Sequence, residues 1–144
     1  MKLREKIFIL MLLILTLLQT STYAVQLNLS AKSAILVEVS TGRIIYEKGS
    51  RMQMFPASTT KIMTAILVIE NSNLSDMVTV SESAISNIPS GYVTAELQAG
   101  EEISVKDLLY ALMVESANDV AFILAEHVAG SVSAFVDMMN KKAL

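Results

Sequence analysis

The pattern of hydrophobic and polar residues places two β-like runs near the start of the chain. Residues 34–39 and 43–47 are rich in β-branched residues, and Ser40-Thr41-Gly42 joins them. A short connection that contains Gly between two such runs predicts a β-hairpin. Hydrophobic residues occupy both alternating sets of positions in the first run. We therefore expect both faces of this sheet to be covered, with helices as the obvious cover.

A helical pattern follows at residues 58–70, which contain no helix breaker and are hydrophobic around the whole axis. This distribution predicts a helix that is buried on all sides. Residues 71–100 are richer in turn-forming residues, with a β-like piece at 77–80. We interpret them as a connecting region, and we assign Glu101 and Glu102 to a turn after Gly100.

Three further helices are predicted in the last third of the chain. Ser104, with Asp107 three residues later, is typical of a helix start and leads into residues 108–114. A second helix should cover residues 119–129 and end at Gly130. A third begins near Ser133, and its pattern reaches Leu144 without a stop signal. This favours a chain that is cut inside an element.

The first 24 residues have the pattern of a secretory signal peptide. Three basic residues precede the hydrophobic run 7–14, which continues to Leu18, and small residues stand at Thr22 and Ala24. We predict export to the cell envelope with cleavage after Ala24. The alternative is an uncleaved membrane anchor, but a spanning helix needs about 20 hydrophobic residues and this run is shorter.

Composition excludes several classes of function. Removing residues 1–24 takes away three basic residues and Glu5, so the formal net charge goes from -3 to -5. Without a basic patch that includes aromatic residues, neither nucleic acid nor anionic lipid is an expected partner. The absence of Cys excludes a thiol nucleophile and a disulfide framework. No residue spacing indicates a metal site, and no cofactor is implied. His127, the only histidine, fits an exposed helix position better than a catalytic triad.

Ser58-Thr59-Thr60-Lys61 is the only Ser-x-x-Lys in the chain, and it opens the first predicted helix. The spacing puts Ser58 and Lys61 on one helical face about one turn apart. A lysine can activate a serine hydroxyl only when burial or positive neighbours lower the pKa of its amine. A helix N-terminus would also present unpaired N–H groups to a developing oxyanion. The alternative is a helix-capping serine followed by a solvated lysine.

Ser116-Ala117-Asn118 is the only Ser-x-Asn, and it lies in the turn between two predicted helices. Because alternate residues can point the same way, both side chains could enter one cleft. A second hydroxyl there can relay a proton, and the Asn118 amide offers a donor and an acceptor for a peptide bond. The alternative is a linking turn in which Asn118 or Asp119 caps the next helix.

The two motifs in this order resemble those of the penicillin-binding proteins and serine β-lactamases. Their flanks, residues 56–65 and 108–119, are similar to the low-molecular-weight D-alanyl-D-alanine carboxypeptidases, and the resemblance runs from about Ser33 to Leu144. It implies an α/β (α+β) fold of the β-lactamase/transpeptidase type, with an antiparallel sheet flanked by helices. Residues 25–144 would form the N-terminal part of that catalytic domain.

The resemblance also implies roles and partners. It makes Ser58 the nucleophile, Lys61 the general base, Ser116 the proton relay and Asn118 the substrate-binding residue. The substrate would be a peptidoglycan stem pentapeptide ending in D-Ala-D-Ala, with β-lactam antibiotics as covalent inhibitors. A peripheral membrane association would require a C-terminal segment that these residues do not include.

The third motif of the family, Lys-Thr-Gly, does not occur in these residues. In the family it lies on a strand that helps to bind the substrate carboxylate and to form the oxyanion hole. We therefore expect the 144 residues alone to be inactive. Two alternatives stay open: a serine β-lactamase, or an inactive, truncated penicillin-binding remnant.

Overall fold

The structure, a computed structural model, describes Arg4, Phe8, Met11 and residues 27–86 and 88–144. The predicted signal peptide, apart from those three residues, and its cleavage site lie outside the described residues. The chain divides into two compact units, Met1–Gln53 and Met54–Leu144.

The first unit contains the predicted hairpin. Strand β1, Ala34–Val37, pairs antiparallel with β2, Ile44–Lys48, and the register shifts between Leu36 and Val37. Gly42 has a φ of +70° in the connection, a conformation that Gly adopts at little cost. Its N–H donates to the carbonyl of Glu38 at 2.8 Å, which closes the turn. The prediction of a hairpin is confirmed.

The expected cover for both faces of this hairpin is not found within residues 27–53 of its own unit. Exposed hydrophobic side chains project from both faces: Ile35, Leu36, Val37, Ile44 and Ile45. Within residues 27–53 there is no helix to pack against them. The sequence pattern indicates that these residues favour burial, but it does not identify the element that covers them.

The second unit is mainly helical and holds the described hydrophobic core. Its helices are α1 (Thr60–Asn71), α2 (Glu82–Ser86), α3 (Val105–Tyr110), α4 (Asn118–Ala129) and α5 (Val132–Lys142). The largest fully buried side chains come from α1, α3, α4 and the segments between them: Val68, Val80, Val105, Leu108, Leu112, Val120, Ile123 and Leu124. Helices α1 and α4 therefore share one core, and both carry predicted site residues.

Helix α1 is buried on one side only, which corrects the prediction of a helix buried all round. Lys61, Thr64, Ala65, Leu67 and Val68 are buried. The other side carries an exposed hydrophobic stripe, which consists of Ile62, Ile66 and Ile69. Spacings of four and three residues place these isoleucines along one helical face.

A second small sheet joins the region interpreted as connecting, residues 71–100, to the residues that follow it. Strand β3, Met77–Thr79, pairs antiparallel with β4, Glu102–Ser104. The β-like piece at 77–80 was predicted, but its partner strand was not, because Glu102 had been assigned to a turn. The described part of the chain thus combines helices with two two-stranded antiparallel sheets.

Local sequence signals set several helix ends. Gly130 ends α4 with a φ of +75°, as predicted. Ser104 caps α3 by accepting from the N–H of Asp107, and Ser131 caps α5 by accepting from the N–H of Ala134. Helix α3 continues directly into a π-helical segment, Ala111–Glu115, which the sequence did not predict.

No single helix in residues 27–86 and 88–144 is long and hydrophobic enough to cross a membrane. Helices α4 and α5 reach that length and composition only together, and they are bent by 84° relative to each other.

The cap at Ser104 gives a test of local stability. Ser104 Oγ accepts from the N–H of Asp107 at 3.1 Å and donates to the Asp107 carboxylate at 2.6 Å. Ser104→Ala should lower the free energy of unfolding by about 1 kcal/mol, the usual value of a serine cap. Chemical denaturation of the protein expressed from its complete gene measures this. Ser75→Ala, at an exposed turn position, is the control, and equal losses in the two variants would contradict the assigned cap.

Candidate active site

Ser58 lies just before α1, in a turn of 3-10 helix at Ala57–Thr59. Ala57 has a φ of +49°, the left-handed conformation that residues other than Gly rarely adopt. The turn is closed by Thr59, whose N–H and hydroxyl both donate to the carbonyl of Pro56, at 3.2 and 2.6 Å. Ser58 itself is exposed, so its hydroxyl is accessible to a substrate.

The two amides that follow Ser58 do not meet the expectation of unpaired N–H groups for an oxyanion. The N–H of Thr59 donates to Pro56 and that of Thr60 to Ala57. These two amides are therefore occupied inside the turn and are not free to bind an oxyanion. If Ser58 were in the first turn of an α-helix, the amides near it would have no partner within the helix.

Lys61 is in the first turn of α1 and is buried, with a relative exposure of 8%. Burial lowers the pKa of its amine below the ordinary value of 10.5, because desolvation disfavours the charged form. The neutral form, which can accept a proton, is thereby made more accessible. This is the property that the sequence argument required of a general base.

Ser116 reaches the site through an unusual backbone. The π-helical segment ends at Ser116, which has a φ of +59° and a ψ of 32°. Ala117 follows in an extended conformation and is fully buried. Because an extended residue separates them, Ser116 and Asn118 project to the same side while the methyl of Ala117 faces the core. The predicted alternation is thus present.

Two hydrogen bonds bring the motifs together. Ser116 Oγ donates to Ser58 Oγ at 3.0 Å, and Lys61 Nζ donates to Asn118 Oδ1 at 3.0 Å. Each bond joins the start of α1 to the turn before α4, across 58 and 57 residues of sequence. The structure therefore places all four predicted site residues in one group.

Asn118 has a second set of contacts, with a residue that the sequence did not indicate. Its Nδ2 donates to the carbonyl of Val93 at 2.9 Å, and its backbone N–H donates to the same oxygen at 2.8 Å. Val93 belongs to an irregular loop, and its contribution is a backbone carbonyl. Since any residue type carries that group, no sequence signal could have identified it.

His127 does not join this group. It is exposed near the end of α4, and the cleft beside it is lined by β3 residues together with Ser81, Ile123 and Glu126. The interpretation as an exposed helix histidine is confirmed.

An accessible hydroxyl, a buried amine, a second hydroxyl and an amide side chain form the set of groups found in penicillin-binding proteins. Comparison with known proteins agrees with this class. The family model described as D-alanyl-D-alanine carboxypeptidase matches residues 19–144. The chain belongs to this family.

Individual relatives and solved structures agree with this family membership. The chain is 42% identical over 118 residues to D-alanyl-D-alanine carboxypeptidase DacF of Bacillus subtilis, covering 78% of this chain and 30% of the relative. Among solved structures, it is similar to penicillin binding protein 6B from Escherichia coli, with a TM-score of 0.77, 33% identity and coverage of 85% of this chain and 41% of that chain. The DacD carboxypeptidase from Francisella tularensis gives a TM-score of 0.75 at 33% identity, over 89% and 32% of the two chains.

The resemblance to the family and the predicted fold class are confirmed by these matches. The chain spans about a third of the length of the curated relatives that it matches.

The burial of Lys61 can be tested directly. In protein labelled with 13C at the lysine Cε, the Lys61 signal, assigned by its loss in Lys61→Arg, should titrate with a pKa below 10.5. The sign follows from desolvation, which favours the neutral amine and so lets the proton leave at lower pH. A pKa at or above 10.5 would contradict this environment for the amine.

Proposed function

We propose that this protein is a serine-type D-alanyl-D-alanine carboxypeptidase that removes the terminal D-alanine from peptidoglycan stem pentapeptides. Family membership supports the reaction class. The observation that carries the assignment of residues is the pair of hydrogen bonds, Ser58 to Ser116 and Lys61 to Asn118. Together these bonds join the two motifs into one site.

In the proposed reaction, Ser58 Oγ attacks the carbonyl carbon of the D-Ala-D-Ala peptide bond while Lys61 accepts the hydroxyl proton. The tetrahedral intermediate collapses, its C–N bond breaks, and D-alanine leaves after its nitrogen receives a proton. An ester to Ser58 remains. Water then adds to this ester, the ester C–O bond breaks, and the proton returns to Ser58.

Ser116 is suited to carry the proton to the leaving nitrogen. Its hydroxyl is 3.0 Å from Ser58 Oγ, and a hydroxyl can accept one proton while it donates another. Because Ser116 is hydrogen-bonded to Ser58, it would extend the proton path from the Ser58 hydroxyl toward the leaving group. A relay of this kind typically accelerates a reaction by about 10²–10⁴-fold.

Asn118 retains capacity to bind substrate. Its Oδ1 accepts from Lys61 and its Nδ2 donates to Val93. An amide oxygen has two lone pairs and an amide nitrogen two hydrogens, so one of each remains for a substrate peptide bond. The proposed role in substrate binding is compatible with the role in holding Lys61.

We also place the protein outside the cytoplasm, in the cell envelope, where peptidoglycan is found. Support comes from the basic start, the short hydrophobic run and the small residues before Val25. A role in cell-wall synthesis and cell shape would follow from that location and substrate.

The site assignment predicts the outcome of labelling with a fluorescent penicillin. In the protein expressed from its complete gene, peptide mapping should find the adduct on Ser58. Ser58→Ala should form no adduct. Lys61→Arg should also fail to acylate, although it keeps the charge, because a guanidinium stays protonated and cannot accept the hydroxyl proton.

Ser116→Ala is the matched control, because it removes a hydroxyl from the same group and leaves the attachment site. It should slow adduct formation or its hydrolysis by about 10²–10⁴-fold and keep the label on Ser58. A label on another residue, or one that persists in Ser58→Ala, would refute the roles. Release of the adduct at β-lactamase rates, without turnover of a D-Ala-D-Ala peptide, would instead identify a β-lactamase.

The signal-peptide pattern gives a separate prediction about export. Mass spectrometry of the protein from the envelope fraction should find an N-terminus at Val25, because the pattern places the cleavage site after Ala24. An intact segment from Met1 in the membrane fraction would show that the hydrophobic run is a retained anchor.

A further inference from the structure

Asp119 is a buried carboxylate next to the site, and the proposed reaction does not use it. Its relative exposure is 2%. The backbone N–H of Ala95 donates to both of its oxygens at 3.0 Å, and the N–H of Val120 donates to Oδ1 at 2.9 Å. Its described hydrogen bonds are therefore all from backbone amides. One of these amides belongs to the loop that contains Val93.

That loop is held to the start of α4 at two points. The carbonyl of Val93 accepts both hydrogen bonds from Asn118, and two residues later the N–H of Ala95 donates to Asp119. Glu96 then turns the chain with a φ of +56°. Val93 is itself 55% exposed, so packing of its side chain cannot fix its carbonyl. The backbone N–H of Asn118 holds that carbonyl directly, and the hydrogen bond from Ala95 to Asp119 restrains the chain two residues away.

The position of the Val93 carbonyl determines which way the Asn118 amide faces. A carbonyl oxygen can only accept, so the Nδ2 of Asn118 must point toward it. The Oδ1 of Asn118 is then directed to the other side, where it accepts from the Lys61 amine. If the amide were reversed, its NH₂ group would face the Lys61 ammonium as a second donor and could not bind it in the protonated state.

We infer that Asp119 is a positioning residue for acyl transfer: by holding Ala95 it helps to fix the Val93 carbonyl, which orients the Asn118 amide, which in turn holds the Lys61 amine. This inference rests on the proposed function of the same site. It assigns Asp119 no contact with the substrate. The expected effect is on the covalent step, since that step depends on where the amine lies.

Glu126 provides a matched control on the same helix. It lies seven residues after Asp119, which is two turns and about 10 Å along the same face of α4. Its carboxylate also accepts hydrogen bonds from the region between α1 and α3, from Ser81 and Ser83. Both acidic residues hold this region to α4, but only Asp119 holds the part that contacts Asn118.

The test compares Asp119→Ala, Asp119→Asn and Glu126→Ala in the protein expressed from its complete gene. The measurement is the rate constant of acylation at saturating fluorescent penicillin, at a temperature where each variant is folded. Asp119→Ala should be slower by about 10–100-fold, because a displacement near 1 Å in a reacting group has an effect of that order. Glu126→Ala should acylate at the rate of the unaltered protein.

Asp119→Asn distinguishes positioning from folding. Asparagine keeps Oδ1, which accepts from Ala95 and Val120, but places an NH₂ group where Oδ2 now faces the N–H of Ala95. Its acylation rate should lie between those of Asp119→Ala and the unaltered protein. If Asp119→Ala does not fold, Asp119→Asn and Glu126→Ala still test the positioning role. An Asp119→Asn variant that acylates as fast as the unaltered protein overturns the inference.

A second measurement does not depend on activity. The 13Cε signal of Lys61 should shift in both Asp119 variants and stay in place in Glu126→Ala. Equal slowing in Asp119→Ala and Glu126→Ala, or an unchanged Lys61 signal in Asp119→Ala, would contradict the positioning role. If the unaltered protein forms no adduct, the proposed function fails, and the Lys61 signal still decides whether Asp119 orients the amine.

Discussion

The hydrogen bond between the buried Lys61 amine and the Asn118 amide oxygen is the contact on which the site depends. A buried amine without a partner would cost about 1–3 kcal/mol, so it requires an acceptor. A carboxylate in that place would favour the ammonium form and raise its pKa. A neutral amide oxygen satisfies the amine without that added charge. Lys61 can therefore be both held in place and kept with a lowered pKa.

Packed helices fix the position of this hydrogen bond relative to the one between Ser58 and Ser116. Helix α1 contributes Val68 to the core and α4 contributes Val120 and Leu124, all of them fully buried. Side chains that start from such packed helices have little freedom to move, because a protein interior is close-packed. In the irregular loop at Val93, Ala95 and Leu97 pack against the core only partly buried, and Val93 itself is exposed. Hydrogen bonds to Asn118 and Asp119 hold the loop as well, so polar contacts there add to packing.

The parts of the fold that sequence analysis predicted are those set by local signals. Gly42 in the hairpin, the cap at Ser104 and the helix end at Gly130 each depend on a few adjacent residues. The pairing of β3 with β4 joins two three-residue strands separated by more than 20 residues of sequence, and such short strands have no clear period.

Within the site, too, local sequence predicted the residues of each motif but not the contacts between the motifs. The motifs identified Ser58, Lys61, Ser116 and Asn118, and one-turn spacing explained why the first two belong together. Spacing could not show that Lys61 is paired with Asn118 and Ser58 with Ser116, because those bonds depend on how α1 and α4 pack. The exposed side of α1 was also missed, since a hydrophobic residue such as Ile66 has the same identity whether or not it is covered.

The π-helical segment before Ser116 makes the length of this part of the chain critical. Each residue of an α-helix advances the chain by 1.5 Å and rotates it by about 100°. A π-helical turn contains one residue more than the α-helical turn it replaces. Loss of a single residue from Ala111–Glu115 would restore regular α-helix and rotate the following side chains away from α1. Ser116 and Asn118 would then lose their partners together, although every residue of both motifs was still present. In this segment, insertions and deletions should be selected against even where substitutions are tolerated.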